Sequence, residues 1–232
     1  MDVKAVSINQ VFLGNRILKI PFFQRGYVWN ESNWKQFFDD LANIASLVNE
    51  NSTPEVYFLG SIIIKDAGRN GQQQFDVIDG QQRLTTIVLF MKALCLALNR
   101  NDLFNRCFMQ TSLTGEIKPI LITNYNNQQV YNKIINLEIP PYNKVEENSR
   151  MADAFAYFTK RIDEVRNPTD GTPAITPETL FGAVTDFVRL VCIEVQSGEN
   201  AQKIFETINC TGIKLTTGEM LKNFLFDETK VD

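Results

Sequence analysis

The sequence has no histidine among its 232 residues. That excludes Ser-His-Asp and Cys-His catalysis, histidine-ligated metals and HNH-type nuclease chemistry within this chain. Cysteine is scarce and scattered: Cys95, Cys107, Cys192 and Cys210 form no CxxC pair. Buried free thiols are expected, and a disulfide framework is not. No apolar run reaches the ~18 residues of a membrane span. The N-terminus, MDVKAVSINQ, lacks the basic-then-apolar layout of a secretory signal. A cytoplasmic protein with no membrane partner is expected. Basic residues are not in excess: 23 Lys and Arg stand against 27 Asp and Glu, net −4. A global basic footprint for nucleic acid is therefore absent, while a local basic cleft is compatible with that total. Neither the P-loop pattern GxxxxGKS/T nor the dinucleotide fingerprint GxGxxG occurs. Catalysis in this chain is left to carboxylates, amides, Arg, Lys, Tyr and backbone groups.

What is present suits a soluble globular fold. Hydrophobic residues make up 44% of the chain and include 17 Phe, enough for a sizeable aromatic core. Ser7 caps a short helix over 7–15, and RILKI, 16–20, reads as a strand ended by Pro21. PFFQRGYVW, 21–29, reads as a loop. Asn30 caps a helix to about Asn49, whose Trp34, Phe37, Phe38, Leu41, Ile44, Leu47 and Val48 follow a 3.6 period. Residues 57–65 and 75–78 read as a β-hairpin with a polar turn. A helix follows to about Asn99, with Ile87, Val88, Met91, Leu94, Cys95 and Leu98 as its buried stripe. KPILIT, 118–123, suggests a strand. Helices follow at about 126–137 and 146–167, and 167–177 is a loop by composition. A helix from about 177 leads into a strand at 187–195, and two helices, to about Asn209 and to about Phe226, close the chain. Early strands, central helices and one late strand point to α+β: a small mixed sheet with a helical subdomain. Residues 1–100, completed at about 187–226, are expected to form the core. Residues 101–186 are expected to be a mainly helical insertion.

The stretch VIDGQQRLTTI, 77–87, carries the chemistry. A strand-glycine-helix junction presents free N–H groups at a positive helix end, a ready anion site. Arg83 supplies a planar fork for phosphate oxygens. Gln81 and Gln82 could orient a water or contact a base or sugar. Asp79 could cap the helix or serve a phosphate-bound Mg²⁺. The structural alternative is simple: Asp79 caps, Gly80 turns, and the rest is a solvated first turn. Two further stretches bear on the choice. PFFQRGYVW sets Gln24 and Arg25 among Phe22, Phe23, Tyr27 and Trp29, a way to grip phosphate while rings stack on a base, or else a piece of core. FETINCTGIKLTTGEMLKN, 205–223, sets Glu206 and Asn209 before a glycine turn, where Asn209 also suits a helix C-cap.

In this order, IPFFQRGYVW (20–29), FLGSIII (58–64), VIDGQQRLTT (77–86) and IFETINCTGIKL (204–215) resemble the N-terminal domain family of GmrSD-type modification-dependent restriction endonucleases. The resemblance implies a ParB/sulfiredoxin-like core. It also implies binding and hydrolysis of a nucleoside triphosphate with Mg²⁺ around Asp79, Gly80, Gln81, Gln82 and Arg83. Gln24, Arg25 and Asn209 would face the nucleotide, and Phe23, Tyr27 and Trp29 would make aromatic or DNA contacts. Phe23 stands where many relatives carry Tyr, so that hydroxyl is missing here. Triphosphate turnover would couple the sensing of modified DNA to an HNH-like nuclease domain or subunit, and a homo-oligomer is compatible with such a system. A non-catalytic ParB-like switch that holds nucleotide or DNA is the alternative. The nuclease module is not in these residues, so either a piece of a longer protein or a stand-alone sensor subunit is expected.

Overall fold

A computed structural model describes residues 2–12, 16–22, 24–68, 73–111, 115–138 and 148–196. The chain starts with strand β1 (Asp2–Ser7) and the short helix α1 (Ile8–Phe12). Ser7 does cap that helix: its Oγ accepts from the Gln10 N–H, and Gln10 Oε1 accepts from the Ser7 N–H. This reciprocal pair is a capping box. Strand β2 (Arg16–Lys19) follows, and then helix α2 (Glu31–Asn49). Asn30 Oδ1 caps α2 by accepting from the Ser32 and Asn33 N–H groups, and Asn33 returns the bond. The apolar stripe of α2 buries Trp34, Phe37, Phe38, Leu41 and Ile44, but Leu47 lies outside it and is exposed.

Strands β3 (Tyr57–Asp66) and β4 (Gln73–Asp79) form the expected antiparallel pair. Helix α3 (Gln81–Ala97) is buried on nearly every side, beyond the single stripe the period suggested. Then come α4 (Asn101–Phe108), β5 (Met109–Thr111), β6 (Ile117–Pro119), β7 (Leu121–Ile122) and α5 (Tyr125–Ile135). The run KPILIT is thus two strands. One pairs with β5 in a small hairpin, and the other joins the edge of the main sheet. Helices α6 (Arg150–Arg166) and α7 (Pro177–Gly182), a π-turn over Ala183–Phe187 and strand β8 (Val188–Val195) complete the described fold. The two closing helices expected beyond Glu199 lie outside the described residues.

The main sheet has six strands in the order β1-β8-β3-β4-β2-β7. It is mixed: β8 runs parallel to β3, β4 parallel to β2, and β2 parallel to β7, while β1–β8 and β3–β4 are antiparallel. The α+β expectation therefore holds. Side chains alternate across the sheet. Ile62 and Ile64 point into the large cluster built with α2, α3 and α6, and Ile63 points to the other face with Val191, Ile193 and Val195. In the large cluster Phe37, Phe90 and Phe158 meet edge to face with centroids 5.4–5.7 Å apart. Such contacts lock α2, α3 and α6 against one another.

Among the described residues one charge is buried in this core. Lys92 of α3 is fully enclosed; its Nζ donates to Asn101 Oδ1 (2.5 Å) and lies 4.6 Å from the Phe104 ring centre. Burial pushes its pKa down from 10.5 to about 8. Below pH 8 both folded and unfolded chains carry the proton, and the full cost of burying the charge is felt. Between the two values the unfolded chain holds more protons, so this group makes stability rise with pH. The buried Cys95 and Cys192 thiols, pushed up to about 12 and about 11 by desolvation, act in the opposite sense. A Lys92→Met variant should be more stable than wild type by about 1–3 kcal/mol at pH 7. That advantage should shrink as pH climbs through 8 toward 10.5. Urea unfolding of both proteins across this range checks it, and an advantage that does not change with pH would contradict it.

Candidate functional site

Asp79 ends β4, Gly80 turns the chain, and Gln81 begins α3. Gly80 has φ +89°, which favours glycine, and a Cβ there would lie 2.6 Å from Ile62 Cγ2 and 3.1 Å from Ile62 Cα. The turn therefore needs glycine both for its conformation and for its closeness to β3. Intrahelical bonding begins with the Leu84 N–H to Gly80 O bond (3.0 Å). The N–H groups of Gln81, Gln82 and Arg83 precede it, and no side chain among the described residues caps them. Together with the aligned peptide dipoles, they give the mouth of α3 a positive character.

Three consecutive residues leave this mouth in three directions, because each helical step rotates the chain by about 100°. Arg83 leans over β3. Its Nη1 donates to Ser61 O (3.0 Å) and lies 3.8 Å from Asp79 Oδ2. Gly60 makes this possible: it has φ +130° at a bulge in β3, and a Cβ there would come within 2.6 Å of Arg83 Nε. The FLGS and DGQQR motifs are thus physically one unit. Both members of the Asp79–Arg83 pair keep about a third of their surface exposed (38% and 32%).

Gln82 turns inward and holds the 21–29 loop. Its Oε1 accepts from the Val28 N–H (2.9 Å) and the Trp29 N–H (3.4 Å), and its Nε2 donates to Gly26 O (3.0 Å). Gln24 pins the other end of the loop. Strand β2 pairs with β4 only as far as Asp76. Gln24 Nε2 then donates to Val77 O (2.7 Å) and Ile78 O (3.0 Å), taking over as donor where the strand stops. Arg150 of α6 adds a bond to Val28 O (2.6 Å), and Asn124 Nδ2 donates to Gln24 O and Arg25 O.

Tyr27 is buried, and its hydroxyl is part of a chain of bonds. Trp34 Nε1 donates to it (2.8 Å), it donates to Thr86 Oγ1 (2.7 Å), and Thr86 donates to Gln82 O (2.8 Å). Desolvation raises the Tyr27 pKa well above the ordinary phenol value, so the hydroxyl stays neutral. This placement makes Tyr27 a strut of the loop, with no ring face open to a base. Trp29 is half-buried against the core.

Arg25 and Gln81 come together. With Gln82, Thr85, Thr123 and Asn124 they line a narrow cleft on the flank of α3 away from Arg83. Neither the Arg25 nor the Gln81 side chain has a hydrogen-bond or ion-pair partner among the described residues. The cleft has room for about one water molecule. Phe23 and Asn209 lie outside the described residues, as does the whole 204–215 stretch. Among the described residues no group of three or more carboxylates and thiols could enclose a metal. Asp79 belongs to no such group.

Sequence reasoning did not single out Thr123, Asn124, Gly60 or Arg150 as individual site residues. Gly60 had a signal in the FLGS stretch. Asn124 precedes α5 as an ordinary-looking N-cap, and nothing local reveals that its amide reaches back to the loop.

No helix among the described residues is long and apolar enough to cross a membrane. No curated protein matches the chain. A family model described as GmrSD restriction endonuclease, N-terminal domain, matches residues 8–226, which takes in all four motif stretches. The chain therefore belongs to the GmrSD N-terminal domain family, a family of restriction systems.

Proposed function

We propose that this domain binds and hydrolyses a nucleoside triphosphate, and that turnover licenses a separate or linked nuclease once modified DNA is sensed. The observation that carries this reading is the uncapped mouth of α3, reached through Gly80 and flanked by Asp79 and Arg83 on one side and by Gln81 and Arg25 on the other. A triphosphate lying across that mouth would meet first-turn N–H groups and a guanidinium from each flank. The phosphoryl group moves from the leaving diphosphate to water, and the developing charge falls on oxygens that Arg83 and Arg25 can hold. Gln81, whose amide has no partner among the described residues, suits the attacking water. Gln82 acts at one remove, by fixing the loop that carries Arg25. Asp79 would hold Mg²⁺ directly or through water, and the metal would supply charge neutralisation on the phosphates.

The test is a calorimetric titration with each triphosphate and Mg²⁺, followed by a phosphate-release assay. Micromolar-to-millimolar binding with measurable release is expected. Binding without release would replace the enzyme with a ParB-like switch. No binding of any triphosphate would remove the reading altogether. Plasmid incubated with this chain alone and Mg²⁺ or Mn²⁺ should stay intact, since the chain carries no histidine for HNH-type chemistry.

A further inference from the structure

Two residues that line the cleft beside Arg25 each bury a polar atom without a partner among the described residues. Thr123 Oγ1 and Asn124 Oδ1 make no hydrogen bond among the described residues, and both residues are only 5% exposed. A native fold rarely leaves such groups unpaired, because burial without a partner is costly. Asn124 makes the case sharper. It occupies the N-cap of α5, where an Asn oxygen ordinarily accepts from the first helical turn, yet it makes no such bond. Its Nδ2 is drawn to Gln24 O (3.0 Å) and Arg25 O (3.3 Å) instead. Those two carbonyls can only accept, so the amide orientation is fixed and Oδ1 is left as a buried acceptor without a partner among the described residues, on a residue that lines the cleft.

The chemistry of a matching ligand group follows. An amide oxygen needs a donor, and a phosphate oxygen cannot be one. The cleft admits about one water-sized group. A hydroxyl or an amine meets both conditions. Building on the triphosphate reading above, we propose that Thr123 and Asn124 form the nucleoside-reading end of that site and take a sugar hydroxyl or a base amine that enters beside Arg25. Phosphates would then lie toward the helix mouth, and the donor group would lie toward α5. Arg25, between the two, would fix the spacing.

Thr123→Val removes the hydroxyl and keeps the shape, while Thr123→Ser keeps the hydroxyl. Binding of the four ribonucleoside triphosphates, their 2′-deoxy forms and inorganic tripolyphosphate is measured on wild type and both variants. Thr123→Val should weaken the preferred nucleotide by roughly fivefold to tenfold, and Thr123→Ser should stay within about twofold of wild type. Tripolyphosphate, which has no nucleoside, should bind all three alike. With no ligand, Thr123→Val should melt about 2–4 °C higher, because a methyl replaces an unpaired hydroxyl. A loss that the 2′-deoxy forms already show on wild type assigns the donor to the ribose. A loss confined to amine-bearing bases assigns it to the base. Unchanged nucleotide affinity in Thr123→Val would overturn the inference and leave the triphosphate reading standing. A fall in kcat at constant Kd would also overturn it, by making the cleft a seat for water. If wild type binds neither nucleotide nor tripolyphosphate, both readings fall.

Discussion

Arg83→Ala should leave the fold standing and lower triphosphate hydrolysis by at least about 100-fold, the usual cost of removing one preorganised donor from a developing phosphoryl charge. The fold should tolerate the change because the Arg83 side chain is a third exposed and has one hydrogen bond, to Ser61 O, and one long ion pair, to Asp79. A pair of this length, each member about a third exposed, contributes little to stability. Arg83→Lys should recover only part of the rate, since an ammonium restores charge without the planar fork. Gly60→Ala gives an independent check. Its Cβ would lie 2.6 Å from Arg83 Nε, so the guanidinium must move although the arginine is still there. That variant should lose activity like Arg83→Ala, with an added drop in Tm, because φ +130° strains any residue with a side chain. Phosphate release and thermal melts on the three variants decide it. Activity within threefold of wild type in Arg83→Ala would end the assignment.

Local patterns explain which parts of the fold were legible. The Asn30 cap, the 3.6 period of α2, the β3–β4 hairpin and the Asp-Gly start of α3 are all encoded within a few residues of where they act. Strand β1 is not. DVKAVS has one buried residue, and its partner β8 lies almost the whole described chain away, with Val3 opposite Ile193. Only the tertiary pairing makes it a strand. The split of KPILIT has the same cause: Lys118 pairs with Gln110 and Leu121 with Leu18, in two different sheets. At the site, residue types named candidates but did not assign directions. Gln81 and Gln82 are indistinguishable as letters, and one helical step of about 100° sends them to different neighbours. Tyr27 reads as a stacking ring until Trp34 and Thr86 are seen to hold its hydroxyl. Arg25 and Arg83 occupy opposite flanks of α3, which the sequence could not show, because the loop path depends on Gln82, Asn124 and Arg150 together.

Gln82→Leu and Gln81→Leu should therefore behave as opposites, although the residues are adjacent and chemically identical. Leucine fills a similar volume but cannot hydrogen-bond. At position 82 it orphans the Val28 and Trp29 N–H groups and Gly26 O in a partly buried loop. Unsatisfied buried groups cost about 1–3 kcal/mol each, less where water can reach them, so a net loss of about 2–3 kcal/mol is expected. For a chain of this length that lowers Tm by roughly 4–12 °C. The freed loop also carries Arg25, so nucleotide affinity should fall as well. At position 81 no side-chain bond is lost among the described residues, and Tm should hold within about 1 °C, as for most surface changes. Its effect should fall on kcat, with Kd for the triphosphate nearly unchanged, because an amide that orients water matters most in the transition state. Melting curves and steady-state kinetics on the pair separate a residue that builds the site from one that works in it. If Gln81→Leu lowers Tm and Gln82→Leu lowers only kcat, the two roles are reversed, and the loop is held by something other than the Gln82 amide.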